Sequence, residues 1–115
     1  MGDRRQVHVT YPNGSKIYFY SHWGGCELPK IVAQALDDGR ARWDDPPYLA
    51  RVVFNHITLD DPEGITGYGI STDNLDSDYG SDDDIHLHLS YGSSGRVGLG
   101  AADQTYEDFI REHKE

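Results

Sequence analysis

Apolar and polar positions alternate in two short runs near the start of the chain. Val7, Val9 and Tyr11 alternate with His8 and Thr10, and Ile17 and Phe19 alternate with Tyr18 and Tyr20. Pro12-Asn13-Gly14-Ser15 lies between the runs and supplies turn residues. Period-two patterning on both sides of a turn predicts a β-hairpin over residues 6–20. The period then changes. Leu28, Ile31, Val32, Ala35 and Leu36 recur at helical spacing, with Pro29 in the first turn and Gly39 as the stop, which predicts a helix over 28–38. Leu49, Val52, Val53, His56 and Ile57 repeat the spacing and predict a second helix over 46–58, with Asp45 as its cap and Pro46 and Pro47 in its first turn.

Alternation returns in the second half, with strands expected at 66–72, 85–91 and 96–100, the last two joined by Gly92-Ser93-Ser94-Gly95. Tyr106, Phe109 and Ile110 suit a short C-terminal helix. The order ββααβββα implies an α+β fold: an antiparallel sheet of four to five strands with the helices on one face. If Val7, Val9, Ile17, Phe19, Ile85, Leu87 and Leu89 face those helices, then His8, Thr10, Tyr18, Tyr20, His86 and His88 lie on the opposite face. Such a face is rich in rings and uncharged, and it suits stacking and hydrogen bonding. Tyrosine is also simply a good strand residue, and that explanation stays open.

The chain has 115 residues, which is one domain with no room for a second core. Its charge changes the picture more than its size does. Twenty Asp and Glu face ten Lys and Arg, for a formal charge of −10. The excess is local: residues 52–95 hold nine acidic residues and neither Lys nor Arg. Within them, 73–84 carries six carboxylates, at Asp73, Asp76, Asp78, Asp82, Asp83 and Asp84, and reads as an acidic, solvated loop. This balance argues against direct docking on a nucleic-acid backbone or an anionic membrane, and favours a basic protein surface as partner. No apolar run approaches the length of a membrane span, and the first residues lack the apolar stretch of a signal peptide. The single cysteine, Cys26, excludes an internal disulfide and suits a cytoplasmic setting.

Two stretches are candidates for ligand chemistry. Tyr20-Ser21-His22-Trp23-Gly24-Gly25 precedes the first helix, where glycines permit close approach and a helix N-terminus favours an anion. Arg42 and Trp43, with Arg51 further on, offer guanidinium groups for a carboxylate or phosphate and a ring for stacking. Taken together, Tyr20, His22, Trp23, Gly24, Gly25, Arg42, Trp43 and Arg51 suit a small anionic, nucleotide-type ligand. The competing explanation is structural, with Trp43 in the core and the Arg residues in internal ion pairs. Asn74, Asp76, Asp78 and Asp82 match oxygen positions of a calcium loop, but Tyr79 and Ile85 stand where Gly and Glu are needed. His86 and His88, with His8, are zinc-type ligands whose distances nothing in the sequence fixes, so no metal or cofactor is expected. Cys26 near His22 resembles a nucleophile and base without an orienting third group.

The motifs Tyr20-Ser21-His22-Trp23-Gly24-Gly25, Arg42-Trp43-Asp44-Asp45-Pro46, Tyr48-Leu49-Ala50-Arg51 and Thr66-Gly67-Tyr68-Gly69-Ile70-Ser71 resemble a family of small uncharacterised proteins of bacteria and their phages. The resemblance spans residues 17–72; the chain departs from it after Ser71, at the acidic loop. It implies a small phage-type protein that blocks a host defence by binding. Acidic surface can imitate DNA phosphates on a basic partner, or a His/Trp/Arg pocket can sequester a nucleotide-like signal. The expectation is therefore a non-enzymatic cytoplasmic binding protein with a protein partner, a small anionic ligand or a second copy of itself. A Cys/His or metal-dependent hydrolase is the enzymatic alternative.

Overall fold

The computed structural model describes residues 5–21, 27–59, 64–65, 67–73, 84–100 and 103–114. The hairpin forms as patterned, with β1 (Arg5–Thr10) antiparallel to β2 (Lys16–Ser21) and Val7 opposite Phe19. Its turn closes through three hydrogen bonds: Tyr11 N–H to the Ser15 carbonyl at 2.8 Å, Gly14 N–H to the Tyr11 carbonyl at 2.9 Å, and Ser15 N–H to Asn13 Oδ1 at 2.9 Å. Gly14 takes φ of +90°, a left-handed conformation that glycine adopts without steric cost.

Helix α1 (Leu28–Asp38) ends where Gly39 N–H meets the Ala35 carbonyl, and α2 (Pro46–Ile57) begins on its two prolines. Asp45 does not cap α2 with its side chain as expected; its carboxylate reaches Arg42 instead, at 3.5 Å. β3 (Tyr68–Ser71), β4 (Ile85–His88), β5 (Arg96–Leu99) and the two-residue β6 (Gln104–Thr105) follow, then α3 (Tyr106–His113). Thr105 caps α3 by accepting the Asp108 N–H at 3.0 Å.

The fold is α+β, but the sheet differs from the expected one. It has six strands, ordered β3-β2-β1-β4-β5-β6, and it is mixed: β4 runs parallel to β1, with Val7 beside Ile85 and His8 beside His86. Alternation says which residues share a face and nothing about strand order. Parallel neighbours require a long connection, and the chain between Thr10 and Ile85 provides it. A two-residue strand is too short to leave a period.

Val7, Val9, Phe19, Ile85, Leu87 and Val97 form the sheet's side of the core, all at or near zero exposure. Leu28, Val32 and Leu36 of α1, Leu49 and Val53 of α2, and Phe109 of α3 close it from above. Helix α1 lies between α2 and α3. Arg40 ties α1 to α3, pairing with Asp37 and Glu107 at 2.7 Å each, and Lys114 adds a second link to Asp37. Trp43 belongs to this layer too: its Nε1–H donates to the Leu36 carbonyl at 2.7 Å and its ring meets Tyr106 edge-on at 5.3 Å.

Tyr106 is fully buried, and its hydroxyl donates to the His88 carbonyl at 2.9 Å. Burial pushes its phenol pKa up to about 12, so it stays a neutral donor. Gly95 makes this contact possible. A β-carbon there would lie 1.7 Å from the His88 carbonyl oxygen and 2.6 Å from the Tyr106 hydroxyl. Gly95→Ala is therefore expected to destabilise the fold by about 2–3 kcal/mol, the cost of overpacking against backbone, as read by urea denaturation. Gly69→Ala, with nothing within 4 Å of the new methyl, should stay within about 0.5 kcal/mol of the parent.

Candidate functional site

The face of the sheet away from the helices carries Gln6, His8 and Thr10 of β1. Their partners across the register are Tyr20, Tyr18 and Lys16 of β2, and His86 and His88 of β4. Gly98 of β5 pairs with His86 and adds no side chain there. His8 is the hub. Its ring meets Tyr18 edge-on at 4.9 Å and lies 4.4 Å from the His86 ring. Tyr18, Tyr20 and His86 are half-buried and His88 is exposed.

Two expected features of this face are corrected. His8 is not an exposed ring but only 9% accessible, and Asp84 is not part of an exposed acidic surface but only 3% accessible. Each is the other's partner: His8 Nε2 lies 2.7 Å from Asp84 Oδ2. Gln6 supports the same carboxylate, from its backbone N–H at 3.3 Å and its side-chain amide at 3.5 Å. The reason lies in strand phase. Asp84 directly precedes β4 and is two residues from His86, so the pleat carries it onto the face of His8. Its own carbonyl accepts from Gly100 N–H at 2.9 Å, locking it to the segment after β5.

Chemically, this is a carboxylate orienting an imidazole, with a second imidazole alongside. Burial, then the proximity of His8, lowers the His86 pKa below the ordinary histidine value, so the neutral ring is favoured. Among the described residues no three His, Cys, Asp or Glu come together to hold a metal ion, and His8 spends Nε2 on Asp84.

The described members of the remaining candidate set, Tyr20, Arg42, Trp43 and Arg51, do not meet in one pocket. Arg42 stacks on Tyr48 at 4.6 Å, and Trp43 is held by Leu36 and Tyr106. Tyr20 lies on the second face, whereas Arg51 is exposed on α2, on the helix side of the sheet. Asp73 is exposed, its backbone N–H donating to Ser71 Oγ at 2.9 Å. His22, Trp23, Gly24, Gly25 and Cys26, and Asp76, Asp78, Asp82 and Asp83, lie outside the described residues.

One feature escaped the sequence reading. The helical layer stops short of the β2–β3 edge and leaves an open cavity of about 240 Å³. Ile17, Phe19 and Ile70 floor it, α2 walls it with Pro47, Ala50 and Phe54, and Tyr11 and Arg51 complete the rim. No sequence signal marks it: only the structure shows Ile70 beside Phe19 in the register and yet 57% exposed. No protein-family model matches the chain, and no curated protein or solved structure is significantly similar to it.

Two outcomes follow from the buried pair. Asp84→Ala strands His8 and Gln6 without their acceptor and should cost about 3 kcal/mol in chemical denaturation, whereas Asp73→Ala should change stability by less than about 0.5 kcal/mol. The second concerns pH. Because the folded-state pKa of His86 is lowered, the unfolded chain binds more protons as pH falls below the ordinary histidine value, and stability drops across that window. Thermal melting of His86→Gln should lose that part of the slope while matching the parent's pH dependence above it.

Proposed function

We propose that the chain is a non-enzymatic acidic binding protein that occludes the basic, nucleic-acid-binding surface of a protein partner. The observation that carries this reading is how the protein's cations are already spent. Arg40 is held by Asp37 and Glu107, Arg42 by Asp45, Arg96 by Asp103, Arg111 by Asp108 and Lys114 by Asp37. The stretch from Asp60 to Asp83 contributes Asp60, Asp61, Glu63, Asp73, Asp76, Asp78, Asp82 and Asp83, with no Lys or Arg among them. Arg4, Arg5, Lys16, Lys30 and Arg51 are too few to neutralise those carboxylates even if all turned toward them. The negative field is left for a partner.

Such a field accelerates encounter with a basic surface and discriminates against acidic ones, over roughly the 8 Å Debye length at physiological salt. Closely spaced carboxylates also compete for the Lys and Arg side chains that hold nucleic-acid phosphates. The resemblance to small bacterial and phage proteins makes a component of a host defence the class of partner. The nucleotide-type pocket is less favoured, because Arg42 and Trp43 are engaged by their own neighbours. Affinity capture from bacterial lysate tests the reading. One dominant basic protein should be retained at low salt and released as salt rises. The variant with Asp76, Asp78, Asp82 and Asp83 changed to Asn should retain it much less. Equal retention by that variant, or no partner at low salt, overturns the proposal.

A further inference from the structure

We propose that the cavity between α2 and the β2–β3 edge is a binding site for a small amphipathic carboxylate, with one aromatic ring or a short branched chain as its apolar body. None of the residues that line it is acidic, and the proposal does not depend on the partner reading. Its lining divides into two kinds of chemistry. Ile17, Phe19, Ile70, Ala50 and Phe54 make an apolar trough, with the Phe19 and Phe54 rings 5.0 Å apart at their centroids. Arg51 supplies the charge.

Arg51 differs from four of the other guanidinium groups, and unlike Arg5 it borders the cavity. Arg40, Arg42, Arg96 and Arg111 each hold a carboxylate. Among the described residues the Arg51 side chain has no ion pair, hydrogen bond or ring contact, in a chain where acids outnumber bases two to one. A cation left unpaired beside apolar surface is satisfied by a ligand that brings its own anion. A carboxylate fits better than a phosphate: its two coplanar oxygens match the guanidinium fork, and it carries one negative charge for one cation. Size narrows the class further. At about 240 Å³ the cavity falls below the range of pockets for drug-sized ligands, so a single ring or short branched chain fills it. Tyr11 adds a phenol whose pKa is raised by burial, which keeps its hydroxyl protonated and able to donate.

The test is amide and arginine side-chain NMR of the intact chain with 3-phenylpropionate, 3-phenylpropanamide and octanoate at millimolar concentration. The acid should perturb Arg51 Nε–H and the amides of Ala50, Phe54 and Ile70. The isosteric amide should bind roughly fivefold more weakly, the worth of a well-formed exposed ion pair. Arg51→Gln should abolish the preference for acid over amide while its thermal midpoint stays near the parent's. Ile70→Glu, at a site exposed enough to tolerate it, should remove binding of both by presenting Arg51 with an internal carboxylate. Equal affinity for acid and amide, an unchanged preference in Arg51→Gln, no perturbation around the cavity, or stronger binding of octanoate would each overturn the proposal, the last by making an acyl chain the occupant. The Asn variant of the acidic stretch should bind 3-phenylpropionate like the parent, which separates this site from the partner surface.

Discussion

Asp84 sits where the acidic stretch meets β4, and its carboxylate accepts hydrogen bonds from His8 Nε2 and from both nitrogens of Gln6. Taking a carboxylate out of water costs several kcal/mol, and only a full set of donors offsets it. The donors all come from β1, the strand at the centre of the sheet. The carboxylate can therefore be satisfied only when β4 enters beside β1 with His86 next to His8. A slip of one residue would turn Asp84 toward the apolar core and away from Gln6 and His8. One polar contact thus specifies the parallel pairing that joins the β1–β3 half of the sheet to the β4–β6 half.

The helices act on the other side of that frame. Helix α1 is central and buries Leu28, Val32 and Leu36; Arg40 links it to α3 through Asp37 and Glu107, Trp43 donates to the Leu36 carbonyl, and Tyr106 ties α3 to the end of β4 through the His88 carbonyl. Helix α2 covers the opposite half of the sheet and has no third helix beyond it among the described residues. The outermost strand consequently carries an apolar side chain, Ile70, that no described residue fully covers. The cavity is a consequence of three helices covering six strands unevenly.

Helix periods and turn chemistry were plain in the sequence. Leu28–Asp38 matches its apolar spacing end to end, and Pro46–Ile57 begins on the prolines that mark it. The hairpin announced itself through Asn13 and Gly14. The sheet order was not readable, because β1 and β4 carry similar alternating patterns whether they pair parallel, antiparallel or not at all. Asp84 was misplaced for a related reason. As one of six carboxylates in a short stretch it looks like solvated charge, and only its phase with His86 marks it as inward-facing. Trp43 and Arg42 show the limit of reading motifs as sites: adjacent in sequence, one is spent on the core and the other on Tyr48 and Asp45. Arg51, from the same candidate set, differs because its helix faces a gap in the packing, and gaps leave no trace in a single sequence.

The protein's electrostatics divide along the same lines as its fold. Charges in the described helices and their connections are largely neutralised in place, by short pairs such as Arg111–Asp108 and by links between helices such as Arg40–Glu107. Most of these pairs are exposed and contribute little stability each. Their larger consequence is to commit five of the ten basic residues to nearby carboxylates, in a chain with twenty acidic ones. Asp84 marks the boundary between the two regimes: buried and satisfied by β1, it ends the acidic stretch by turning its last carboxylate into part of the sheet.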